Sequence, residues 1–151
     1  MNEGEARARF AAAPVARLAT ADAGGRPHLV PMTFALVGEV IYSAIDDKPK
    51  RTRALRRLAN IAVNPQVAVL ADHYSSDWAA LWWVRADGRA RTVDVAGEEA
   101  VGALAALAAR YAAYRERRPP GPLVAIDVER WTGWAAADAG ATRKGILAPH
   151  N

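Results

Sequence analysis

Lys48, Lys50 and Arg51 sit together where a strand-like run, Val40 to Ile45, gives way to a helix-like one. Asp46-Asp47 break the β-favouring run, and Pro49 suits the first turn of a helix, where a missing N–H costs nothing. A helix start presents unpaired N–H groups and a partial positive charge, so cations beside it complete an anion site. Phosphate is the natural guest, with lysine acting as a point charge and arginine as a two-pronged fork. Without an anion the same cations oppose the helix dipole, by about a few tenths of a kcal/mol each. Such a local conflict is what functional sites tend to carry. The plain alternative is a solvated cationic face.

The elements that must position these groups follow from periodicity. The helix is expected from near Lys50 to Asn64-Pro65, with Leu55, Leu58, Ala59 and Ala62 as its apolar stripe and Arg53, Arg56 and Arg57 off it. Before it, Glu3 to Ala13 reads as a short helix stopped by Pro14, Val15 to Ala21 as a strand, and Asp22-Ala23-Gly24-Gly25 as a turn. Arg26 to Val37 resumes a strand that Pro27 and Pro31 confine to an edge or a bulge, and Gly38-Glu39 turns it into Val40 to Ile45. After the helix, Gln66 to Asp72 reads as a strand buried on both faces. Ala79 to Ala86 and Arg89 to Val95 read as a hairpin turned at Asp87-Gly88. Gly97 to Arg118 reads as a packing helix with Val101, Leu104, Ala105, Ala108 and Tyr111 on one stripe. Leu123 to Val128 and Thr132 to Ala136, around Trp131, are the last strands.

Composition narrows the chemistry. The 151 residues suffice for one domain, here 1–137, followed by a small-residue and polar tail, 138–151. The absence of cysteine excludes disulfides, thiolate catalysis and cysteine-held metals, and His28, His73 and His150 lack any metal-binding spacing. No apolar segment approaches the length that spans a bilayer, so a soluble, cytoplasmic protein is expected, with no membrane partner. A net charge of +4 permits anionic ligands without demanding nucleic acid. The basic helix also lacks the aromatic platform of a nucleic-acid binder, and none is expected as a partner.

The strand-turn-helix resembles that of the split-β-barrel flavin and deazaflavin oxidoreductases, the superfamily that includes pyridoxamine 5′-phosphate oxidase. The runs Asp47-Lys48-Pro49-Lys50-Arg51, Leu55-Arg56-Arg57-Leu58-Ala59-Asn60-Ile61, Asn64-Pro65, Asp72-His73-Tyr74 and Asp77-Trp78 are similar to its actinobacterial branch assigned to coenzyme F420. The resemblance extends from about Phe10 to Trp134 and implies an α+β fold, mainly β: an FMN-binding-like split β-barrel of six to seven mostly antiparallel strands. It places the cofactor phosphate on Lys50 and Arg51 and the flat ring against Pro31, Met32 and Thr33, with the strand end Ser43, Ala44 and Ile45 also cofactor-binding. Where the pyridoxamine phosphate oxidases carry Arg and Gln that touch flavin, this chain has Trp82 and Trp83. That departure favours a different ring or one held by stacking, with Trp78 and Trp83 as candidates; the alternative is a Trp82–Trp83 pair with core on one side of the strand and a dimer contact on the other. The arginine-containing motif that binds pyridoxal phosphate in those oxidases is not recognisable, which argues against that substrate.

The expectation is therefore an F420-dependent oxidoreductase that passes a hydride between the reduced deazaflavin and an unsaturated or conjugated small molecule. Lys48, Arg53 and Arg57 offer a path for the coenzyme's polyanionic tail. Because the cofactor carries the chemistry, no Ser/His/Asp set or carboxylate pair is required. An FMN enzyme using the same phosphate site, or a cofactor carrier without turnover, are the alternatives. A barrel this small fills its interior with side chains, so a large ring must bind outside it, in a cleft that a second subunit of a homodimer can wall.

Overall fold

In the computed structural model the described residues are 1–45 and 51–139, with backbone only at 51–55. Helix α1 (Glu3–Ala12) starts with a reciprocal cap: Glu5 N–H donates to Asn2 Oδ1 and Asn2 N–H to Glu5 Oε2, each at 2.9 Å. It buries Ala6 and Phe10 and ends before Pro14. Strands β1 (Ala16–Ala21) and β2 (Pro27–Met32) form a hairpin whose turn is held by Asp22 Oδ1, which accepts from the Gly24 and Arg26 N–H groups. Strands β3 (Ala35–Val37) and β4 (Val40–Ala44) turn at Gly38, where φ is 62° and an L side chain would be strained. Then come α2 (Arg51–Val63), β5 (Gln66–His73), β6 (Trp82–Val93), α3 (Glu98–Arg110), α4 (Ala112–Glu116) and β7 (Leu123–Ala135).

The seven strands form one antiparallel sheet in the order β2-β1-β5-β6-β7-β4-β3. It curls without closing: Leu18 and Met32 from one end share a core with Ile41 from the other, around Phe10, Phe34 and Trp131. Phe10 lies 4.7 Å from Phe34 and 5.1 Å from Trp131 between ring centroids. A second cluster packs α3 (Ala100, Ala103, Leu104, Leu107) on β4 and β7 (Tyr42, Leu123, Ala125), so the start of β7 is buried on both faces. This is the expected split-barrel α+β architecture. No helix among the described residues is long and apolar enough to cross a membrane.

Several elements differ from the sequence expectation. Asp87-Gly88 is a β-bulge inside one long β6, not a hairpin turn, because β7 pairs continuously along both halves of it. Leu123 to Ala135 is likewise one strand, with Trp131 inside it. The Arg26 to Val37 run divides into β2 and β3 at opposite ends of the sheet, separated by Thr33-Phe34. β5 buries only Val67, Val69 and Ala71, since among the described residues no helix covers its other face. The long helix breaks at Tyr111, and its buried stripe is Ala100, Ala103, Leu104 and Leu107, which leaves Val101 67% exposed. Among the described side chains of α2, Asn60 and Ile61 are buried and Leu58 partly so, whereas Ala59 and Ala62 face solvent, and Leu55 lies outside the described side chains. The larger Ile61 outweighs alanines in choosing the face.

Arg91 ties α3 to the sheet. It donates to Glu99 at 2.6 and 2.8 Å and to Asp127 at 2.8 Å, while the Tyr42 hydroxyl donates to Glu99 at 2.8 Å. The hydrogen bonds from Arg91, then from Tyr42, pull the Glu99 carboxyl from 4.5 to about 2. A depressed carboxyl contributes stability that is present above its unfolded value and lost as pH falls through its folded one. Glu99→Gln should therefore flatten the loss of thermal stability between pH 4.5 and about 2. Because the pair is partly exposed, the cost near pH 7 should be about 1 kcal/mol or less. Melting curves across that range check it, and an unchanged slope would remove the assignment.

Candidate functional site

The site is built on the corner between β2 and β3. Phe34 fills the core, and its backbone is clamped from α3 and the break after it: its N–H donates to the Tyr111 hydroxyl at 3.1 Å, and its carbonyl accepts from Arg110 at 2.8 Å and Tyr111 at 3.1 Å. The Thr33 and Tyr114 hydroxyls lie 2.9 Å apart, and the Ser43 hydroxyl donates to the Thr33 carbonyl at 2.7 Å. The helix break at Tyr111 is what lets both tyrosines reach the corner, with their rings edge to face at 5.7 Å. A segment with no strand partner thus keeps its polar groups bonded.

Two of the sequence-predicted groups are brought together here, since Ser43 touches Thr33. The side chains of Met32, Ser43 and Ala44 are buried, so what they offer a ligand is backbone; Pro31 is exposed, and Thr33 and Ile45 are half-buried. Lys48 and Lys50 lie outside the described residues, as do the side chains of Arg51 and Arg53. Arg57 is half-buried on α2.

A groove of about 490 Å³ lies on the outer face of the sheet, where no helix of the described residues packs. Cross-strand register builds it in rows: Leu29, Ala19 and Ala68 in one, Arg17, Leu70 and Arg85 in the next, then Asp72 and Trp83. Its floor is apolar and its charges are tied down, Arg17 to Asp72 at 2.6 Å and Arg85 to Asp87 at 3.0 Å. Trp83 faces this groove while Trp82 faces the core, as alternation along one strand requires. Trp78 stands on a separate short turn capped by Asp77, is 77% exposed and does not line the groove. The sequence reading missed Arg17, Leu29, Leu70 and Arg85. The signal was present in β5, whose two apolar phases left one face with no element to cover it. Among the described residues no three His, Cys, Asp or Glu side chains converge to hold a metal ion.

Residues 3–135 match the protein-family model described as pyridoxamine 5′-phosphate oxidase. The chain belongs to this family. Solved structures similar to this family member include the conserved hypothetical protein Rv2991 from Mycobacterium tuberculosis, at 22% identity and a TM-score of 0.68, covering 100% of this chain and 91% of that one. An FAD-binding protein from Mesorhizobium loti follows at 21% and 0.68, covering 88% and 92%. The heme storage protein HutZ from Vibrio cholerae is similar at 20% and 0.66, covering 89% and 95%. At these identities the likeness is one of fold. Among curated proteins none matches the chain.

Proposed function

We propose that this member of the pyridoxamine 5′-phosphate oxidase family is an oxidoreductase that binds coenzyme F420 and serves hydride transfer between the reduced deazaflavin and an unsaturated or conjugated small molecule. The observation that carries the reading is the Ser43 to Thr33 hydrogen bond, which sets the β2–β3 corner against the end of β4 just before α2 begins. On this reading a planar ring lies along Pro31 to Thr33, and the family resemblance assigns its phosphate to Lys50 and Arg51. That relatives of this fold are named for binding FAD or storing heme supports a large planar cofactor. The cofactor, when bound, supplies the hydride; the chain's tasks are to hold the ring, bind the phosphate and exclude water.

A homodimer completes the reading. The outer sheet face exposes Leu29 at 68%, Leu70 at 36% and Trp134 at 38%, an apolar surface that a second subunit can cover while walling the ring. Sedimentation as a monomer at micromolar concentration would remove this part.

Cofactor choice is tested by titrating the purified chain with F420, FMN and hemin at low and moderate salt, following tryptophan fluorescence. F420 should bind most tightly and lose most with salt, because its carboxylate tail meets Lys48, Arg53 and Arg57 whereas FMN ends at its phosphate. Arg51→Ala should weaken binding by roughly 2 to 4 kcal/mol if Arg51 grips a desolvated phosphate, against under about 1 for a surface charge. Tight FMN binding with no response to F420 would replace the deazaflavin reading with the flavin one.

A further inference from the structure

Away from that corner, a recess of about 140 Å³ opens between the β1–β2 hairpin and α2, lined by Asp22, Arg26, Pro27, His28, Arg56 and Asn60. It has room for about four or five water molecules. We propose that this recess is a binding site for a small oxyanion, a carboxylate or a phosphate, gripped by the Arg26 and Arg56 guanidiniums over the buried Asn60 amide.

Three observations support it. Two guanidiniums share the recess with one carboxylate, and Asp22 Oδ1 already accepts from the Gly24 and Arg26 N–H groups to hold the turn. That leaves the recess with an excess of positive charge, which favours an anion there. Next, among the described residues neither the Arg26 nor the Arg56 side chain makes an ion pair or hydrogen bond, although Arg17, Arg85 and Arg91 on the same sheet each hold a carboxylate. Finally, Asn60 is only 6% exposed, and its amide nitrogen donates to the Thr20 hydroxyl at 3.1 Å, Thr20 itself being 3% exposed. That bond uses one of two amide N–H donors and fixes the side chain, leaving the other for a ligand at the floor. Paired guanidinium forks over a neutral buried donor suit a planar or tetrahedral oxyanion.

The anion has two sources, free phosphate or the carboxylates of a cofactor tail, and the test separates them without using the cofactor, so its failure leaves the F420 reading standing and the converse also holds. The ligand-free chain is titrated with inorganic phosphate and, separately, with γ-glutamylglutamate at constant ionic strength set by chloride, following the Asn60 side-chain amide by NMR. Saturable shifts are expected, with a Kd at least fivefold weaker in both Arg26→Gln and Arg56→Gln. Both substituted side chains are exposed, and unchanged melting confirms that the variants fold. Saturation by phosphate alone assigns a phosphate site, and saturation by the dipeptide assigns a carboxylate site. Linear shifts with both ligands, or equal affinities in wild type and the variants, would overturn the proposal.

Discussion

Gly88→Val should destabilise the chain by about 3 kcal/mol, the upper end of what overpacking a tight site costs. A Cβ at Gly88 would collide with the Asp127 carbonyl oxygen and meet Val128 Cα at 3.1 Å. Both are backbone atoms of β7, so no side-chain rotation relieves the clash, and the paired strand itself must move. The register shift between Asp87 and Gly88 lies at the same place, in a strand whose Val84, Ala86 and Ala90 line the core around Phe10 and whose Val93 joins the cluster under α3. Urea unfolding checks the expectation through a lower midpoint at an unchanged slope. An unchanged midpoint would mean that β6 and β7 separate freely at the bulge, contrary to their continuous ladder. Gly88→Ala should move in the same direction by less.

That glycine also shows where sequence reasoning loses purchase. Asp-Gly between two β-favouring runs is the usual sign of a two-residue hairpin, and nothing local distinguishes it from a bulge. The distinction rests on β7, which arrives some forty residues later and pairs across both halves. The same holds for the outer face of β5. Leu70 and Ala68 look like core residues in isolation, and only the placement of the described helices elsewhere leaves them lining a groove. What was legible was local: the first helix, the β1–β2 turn at Asp22, the glycine turn at Gly38, and the succession of β4 and α2. The prolines of β2 marked it as an edge strand, which it is, but the support of the corner after it was not legible. Tyr111, Tyr114 and Arg110 are drawn to it from more than seventy residues away in the chain. The recess under Arg26 and Arg56 was missed for a similar reason, since it joins a hairpin tip to the middle of α2 through the Thr20 to Asn60 bond.

Phe34→Ala should cost about 3 to 5 kcal/mol, a large share of the 5 to 15 that a domain of this kind has in total. Phe34 is fully buried, its ring lies 4.7 Å from Phe10, and the Arg110 guanidinium sits 4.7 Å over its face. Removing the ring leaves a cavity between α1 and the sheet and takes the aromatic face from an arginine that also holds the Phe34 and Ala13 carbonyls. The position should also control the corner itself, because the side chain anchors a backbone whose neighbours, Thr33 to Ser43 and Thr33 to Tyr114, are the contacts that define the candidate ring site. Phe34→Leu keeps most of the volume and should cost about 1.5 kcal/mol or less. Amide hydrogen exchange separates the two effects. The amide at position 34, bonded to the Tyr111 hydroxyl, should exchange far faster in the alanine variant than the loss of global stability accounts for, and close to wild type in the leucine variant. If exchange there follows global stability in both variants, Phe34 acts through the core alone, and the corner is held by the tyrosine and arginine bonds without it.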